Sequence, residues 1–162
     1  MVATRVALFP RRDLAEVGIA PLTSMFWFGP ADLGSFDDYR PAVHDSDGLQ
    51  MVTGNGERLW RALANPAALQ ISAFADRDPQ GFGLMQRDRT FETYQDLEAS
   101  YDRRPGYFVE PDGPWGEGAV MLPHTVVDEG HEGEGLDGDA AIARVVEELA
   151  RPEGVAGGAL VR

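Results

Sequence analysis

Cysteine is absent from the 162 residues. The chain therefore has no disulfide framework, no thiolate nucleophile and no cysteine-type zinc site, and is compatible with either side of a membrane. Lysine is absent too: all fourteen cationic side chains are arginine, so every cation offers a planar fork and none can form a Schiff base. No window of about 18 apolar residues exists, which excludes a membrane-spanning helix. Positive charge is short: 14 arginines face 27 acidic residues, a net charge of -13. Such a surface repels a phosphate backbone and argues against nucleic acid as a partner. A neutral or polar ligand is easier to accommodate. At the start of the chain, Pro10, Arg11 and Arg12 stand where a secretory signal needs an unbroken apolar run, so no export signal is expected and the chain as written is expected to stay in the cytoplasm.

What is present is concentrated between Gly81 and Gly118, where arginine, carboxylate, amide and aromatic side chains are mixed closely. A sugar ring has apolar C–H faces and a hydroxyl rim, so it is held by aromatic platforms and fork-like hydrogen-bonding groups. Tyr94, Tyr101, Tyr107, Phe108 and Trp115 are candidate platforms; Gln86, Arg87, Asp88, Arg89, Gln95, Asp96, Arg103 and Arg104 are candidate forks. The competing reading makes half of these rings core and half of these charges surface ion pairs.

The length suits one domain with a core of its own. Val2 to Phe9 reads as a strand, and Pro10 to Val17, with Gly18 at its exit, as a short helix. Met25 to Phe28 reads as a buried strand in which Trp27 is either core or a ligand platform. Residues 31 to 41 form a loop. Asp45-Ser46-Asp47-Gly48 resembles part of a calcium loop, but the glycine falls at the wrong position, so a turn leading into a strand is expected instead. Gly54-Asn55-Gly56 lacks the third glycine of a dinucleotide fingerprint and reads as a tight turn between strands. Beyond it, Leu59, Trp60 and Leu63 are expected in the core, with Glu57, Arg58 and Arg61 outside. Residues 69 to 74 and 81 to 86 read as strands, Thr90 to Ser100 as a short helix with Asp96 on its exposed side, and residues 107 to 122 as two strands around a Pro/Gly turn. Short strands divided by Gly/Pro/Asp turns indicate an all-β, antiparallel β-sandwich with brief helices. After Leu122 the chain turns acidic and glycine-rich; residues 139 to 151 have the spacing of one helix, and the whole tail from 123 to 162, that helix included, is expected to lie outside the fold. His124 and His131 are too loosely spaced for a metal site, and no metal or cofactor is expected.

Five long segments in order, GIAPLTSMFWFG, DDYRPAVHDSDGLQM, TGNGERLWRALANP, QGFGLMQRDRTFETYQD and YDRRPGYFVEPDGPWGEGAV, closely resemble the periplasmic glucan biosynthesis proteins G and D (the OpgG/OpgD, or MdoG/MdoD, family). The resemblance runs from about residue 5 to 122. It implies part of a large sandwich related to the mutarotase-like supersandwich, with residues 1–122 forming a partial glucan-biosynthesis domain. The tail from 123 to 162 departs from the family pattern, which suggests a truncated or frameshifted product.

By the same resemblance, function is periplasmic work on β-1,2-linked glucan, and some relatives look like β-1,2-glucan hydrolases. Glycoside hydrolysis needs one carboxylic acid to protonate the leaving oxygen and a carboxylate to activate water. The acid of the family's YQD-like motif falls on Asp96, whose pKa would have to be raised for that task. The base falls near or before the start of this chain, with Asp13 the one candidate here. Trp27, Tyr39, Arg40, His44, Asp45, Asp47, Gln86, Arg87, Tyr94 and Arg104 make up the expected substrate-binding set. The expected partner is a β-glucan polysaccharide. Two further outcomes stand beside this one: a carbohydrate-binding module without turnover, or an inactive fragment that self-associates through exposed sheet edges.

Overall fold

The computed structural model describes residues 1–13 and 17–124. Eight strands follow one another: β1 (Phe26–Phe28), β2 (Val43–His44), β3 (Gly48–Val52), β4 (Arg58–Ala62), β5 (Gln70–Arg77), β6 (Gly81–Met85), β7 (Tyr107–Val109) and β8 (Glu117–His124). One helical turn, α1 (Phe91–Tyr94), and a 3-10 turn at Tyr101–Arg103 lie between β6 and β7. All pairings are antiparallel. The strands form a four-stranded sheet in the order β4-β3-β6-β7 and two two-stranded sheets, β1-β2 and β5-β8.

Strand β3 is the centre of the larger sheet. Its period-two alternation turns Leu49 and Met51 inward while Gln50 and Val52 are only half-buried, and Met51 stands opposite Leu59 on β4 and Phe82 on β6. Leu49, Met51, Phe82 and Leu84 from this sheet meet Val120 and Leu122 from β8, closed by Phe26 and Leu63. Side chains from different sheets thus share one core, the hallmark of a sandwich, and each such burial contributes roughly 1.5–3 kcal/mol. The β3–β4 turn closes as its glycines and asparagine require: Thr53 N–H donates to Glu57 O and Gly56 N–H to Thr53 O, both at 2.9 Å, with Gly56 at φ 88°. At Gly83 a Cβ would lie 1.9 Å from the Tyr107 carbonyl oxygen, so only glycine lets β7 pair with β6 there.

The all-β, antiparallel sandwich with brief helices is therefore the fold. Three local expectations fail. Residues 2–9 form no strand; Val2, Val6, Leu8 and Phe9 are exposed, because an apolar run becomes a strand only where another edge pairs with it. Residues 10–13 are not helical, and the remainder of that expected helix falls largely on residues outside the described set. The helix expected over 90–100 stops after four residues, where Gln95 turns left-handed at φ 51° and caps Phe91 O. Residues 107–122 do hold two strands around a Pro/Gly turn, but the two do not pair with each other: β7 joins β6, and β8 joins β5 along eight residue pairs. The helix expected over 139–151 lies outside the described residues.

Candidate functional site

Two stretches converge beside the end of the large sheet: the β2–β3 connection with His44, Asp45 and Asp47, and the segment from Gln86 to Arg104 that links β6 to β7. Backbone bonds set the meeting, since Asp47 N–H donates to Met85 O at 2.9 Å. The Asp47 carboxylate then accepts the amides of Arg87 and of Asp88, the latter at 3.2 Å. Asp88 in turn accepts the Thr90 amide at 2.9 Å and the hydroxyls of Thr90 and Thr93 at 2.6 Å each. Those hydroxyl and amide donors hold its pKa down at about 2 against the opposing effect of burial. Asp88 is thus the buttress that starts α1 and delivers Tyr94.

Tyr94 is fully buried and its hydroxyl donates to Asp88 O at 3.1 Å. Its ring meets His44 edge-on at 5.2 Å and Tyr101 at 6.2 Å. His44 is also fully buried, stacks on Phe26 at 5.1 Å and lies 3.5 Å from Asp47. Burial lowers its pKa; Asp47 foremost, then Gln86, Asp45 and Asp88, pull in the other direction without reversing the shift. Neither imidazole nitrogen makes a hydrogen bond, Gln86 being near the ring but outside bonding geometry. Gln86 is buried and spends its amide N–H on Tyr101 O at 3.0 Å, leaving Oε1 unpaired.

Around Tyr101 lie two guanidinium–carboxylate pairs. Arg104 is 5.5 Å over the Tyr101 ring and 3.2 Å from Asp45. On the other side Arg40 grips Asp38 through Nε and NH2 and donates from NH1 to Asp96 Oδ2 at 2.7 Å. Asp96 accepts the Ala99 and Glu98 amides on its second oxygen, at 2.6 and 3.0 Å. Burial raises its pKa, but the Ala99 amide, Arg40 and the Glu98 amide outweigh burial, and the carboxyl ends below the ordinary range. Asp38 falls as well, chiefly through its bond to Arg40. Tyr39 remains exposed, its hydroxyl donating to Gln95 O at 3.3 Å.

Of the residues expected from sequence, Arg40, His44, Asp45, Asp47, Gln86, Tyr94, Asp96 and Arg104 fall into this one connected assembly, and Arg87 borders it. Trp27 does not join it: its ring packs against Phe28 and Phe36 at 5.3 and 4.9 Å. The exposed position expected for Asp96 is corrected, since its side chain is only 11 % accessible. So is the core position expected for Trp60, which is 37 % exposed with Arg87 over its ring at 4.9 Å. Period-two alternation carries that signal, because Leu59 and Trp60 are neighbours on a strand and point to opposite faces. Asp38 was not foreseen at all. Its signal is the short step from Asp38 to Arg40, which lets one guanidinium bond both the preceding acid and a distant one.

Among the described residues no helix is long and apolar enough to cross a membrane. Comparison with known proteins finds the family described as "Periplasmic glucan biosynthesis protein, MdoG" matching residues 1–132. Glucans biosynthesis protein G of Vibrio cholerae is 63% identical over 115 residues, covering 71% of this chain and 21% of that protein. The protein of the same name from Bradyrhizobium diazoefficiens is 61% identical over 117 residues, 72% of this chain and 23% of its own length. Glucans biosynthesis protein G 2 of Shewanella oneidensis is 61% identical over 117 residues, 72% and 22% respectively. The chain spans about a fifth of the length of these curated relatives. With the family pattern covering most of its residues, the chain belongs to the periplasmic glucan biosynthesis protein family.

Proposed function

We propose that this chain forms part of a periplasmic glucan-acting cleft in which Asp96 is the general acid for cleavage of a glycosidic bond. The observation that carries the reading is the sheltered Arg40–Asp96 pair beside Tyr101. A carboxylate held by a guanidinium is ionised in the free chain. A sugar whose hydroxyls take over the Arg40 NH1 donor breaks its bond to Asp96 and excludes water. Both changes drive the Asp96 pKa upward, towards the protonated form that can donate to a leaving oxygen. His44 and Gln86 keep three buried side-chain atoms without hydrogen-bond partners, beside the Arg104–Asp45 ion pair, groups suited to a hydroxyl-rich ligand. The activating base is not assigned among these residues.

A second reading, glucan binding without turnover, is favoured by the lowered pKa of Asp96 and the two amides that fix it as a local cap. Among the described residues no strand pairs with the outer sides of β4 and β7, which can accept a further strand, from the longer polypeptide typical of the relatives or from a second copy. Reducing-end release from linear β-1,2-glucan, alongside calorimetric binding of the same polymer, separates the readings. The acid role predicts that Asp96→Asn lowers turnover on the order of 100-fold or more while binding persists. Binding by both proteins with turnover by neither selects the second reading. Absence of both overturns the two together.

A further inference from the structure

A second recess lies beside the assembly just described, bounded by Trp60, Arg87, Asp47, Asp88, Phe26 and Pro30, with a volume of about 510 Å³. That volume falls within the usual range of small-ligand sites, about 300–1,000 Å³. We propose that it is a separate pyranose subsite with Trp60 as its platform and Arg87 as its fork; the inference rests on the glucan reading and extends it to a second sugar unit.

The recess has a specific construction. A Cβ at Gly48 would lie 2.6 Å from Cζ2 of Trp60, so glycine on β3 lets the indole lie down against the sheet. Asp47 bonds the Arg87 amide and thereby fixes the backbone that carries the guanidinium over the indole. Arg87 makes no ion pair among the described residues, although Asp47 and Asp88 border the same recess. Its donors are therefore available to a ligand.

The chemistry selects the ligand class. Two carboxylates disfavour an anion, and the guanidinium disfavours a cation. An uncharged ring with one apolar face and a hydroxyl rim satisfies all the groups at once: C–H bonds meet the indole, paired hydroxyls accept from Arg87, and further hydroxyls donate to Asp47 or Asp88. Because Asp47 touches both His44 and Arg87, one polymer can lie across this recess and the Tyr101 assembly.

Titration calorimetry of the full chain with linear β-1,2-glucan tests this, with circular dichroism to verify folding of each variant. Trp60→Ala should weaken binding roughly tenfold, and Trp60→Phe should keep most of the affinity. Arg87→Ala, at an exposed position, should weaken it several-fold and provides a variant that leaves the indole in place. Unchanged affinity in both Trp60→Ala and Arg87→Ala, with the unmodified protein binding normally, overturns the subsite and leaves the Asp96 reading intact. Failure of the unmodified protein to bind the glucan overturns the subsite and the glucan reading together.

Discussion

The two halves of this molecule treat polar atoms differently. In the four-stranded sheet, the backbone donors and acceptors of β3 are taken up on both sides by β4 and β6, and the side chains facing inward are apolar. In the neighbouring assembly, His44 and Gln86 are as buried and polar, and among the described residues three of the eight buried side-chain atoms without hydrogen bonds belong to these two. A buried group without a partner costs about 1–3 kcal/mol. The sheet is thus built for stability, whereas the assembly gives up stability to keep donors and acceptors unspent. Substitutions in the two regions should therefore separate folding from binding.

The largest expected effect is on the sheet side. Met51 is almost completely buried between Leu59 and Phe82, so Met51→Ala removes packed methylenes and leaves a cavity. A loss of about 2–5 kcal/mol is expected, read as a lower urea midpoint. Glucan affinity per folded molecule should be unchanged, and a variant that folds normally yet loses affinity would break the separation.

A smaller effect is expected within the polar assembly, where one cation serves two carboxylates. Arg40 compensates Asp38 and Asp96 together, with side chains 18 %, 12 % and 11 % accessible. Replacing it by Met leaves two sheltered carboxylates without their cation, at a cost of roughly 1–3 kcal/mol near neutral pH. The sign with pH follows from both depressed carboxyl pKa values. Their stabilisation is present above the unfolded value of about 4 and is lost as pH falls through the folded value. In Arg40→Met the two titrations should move upward by carboxyl-carbon NMR, and the difference in stability from the unmodified chain should shrink on acidification.

The same contrast explains what was legible in the sequence. Strands β1, β3, β5 and β6 and the turn after Val52 could be read because alternation and turn chemistry are local. Gly83 and Gly48 are equally visible as glycines, but the strand or ring that requires each of them is fixed only by pairing. The expected helix after Thr90 had the right apolar spacing and still ended at Gln95, since tertiary contacts of Tyr94 with His44 and Tyr101 outweigh continued helical bonding. Most of the polar assembly could be named residue by residue from its types and family pattern. Its electrostatics could not, because the Arg40–Asp96 contact spans 56 positions and reverses the pKa direction that an acid role led one to expect.

The smallest expected change in stability comes from His44, and it carries the sharpest test of the contrast. Because neither ring nitrogen is bonded, His44→Phe removes two unsatisfied polar atoms, a gain offset by fitting a larger ring into the fully buried space between Phe26 and Tyr94, so the net change in stability at pH 7.5 should be no more than about 1 kcal/mol. Burial lowers the His44 pKa, and also that of His124, where Arg61 adds to the effect. A base buried neutral contributes stability that is complete above its unfolded pKa, about 6.5, and that declines as pH falls through that value towards the depressed folded one, since the unfolded chain then binds the extra proton. The urea midpoint of the unmodified chain should accordingly fall between about pH 7.5 and about pH 5.5, and His44→Phe should show a shallower fall, retaining only the His124 share. An equally steep decline in the variant would mean that His44 does not sense its burial in this way, whereas a shallower decline together with weaker glucan binding would mark an atom withheld from the fold for a ligand.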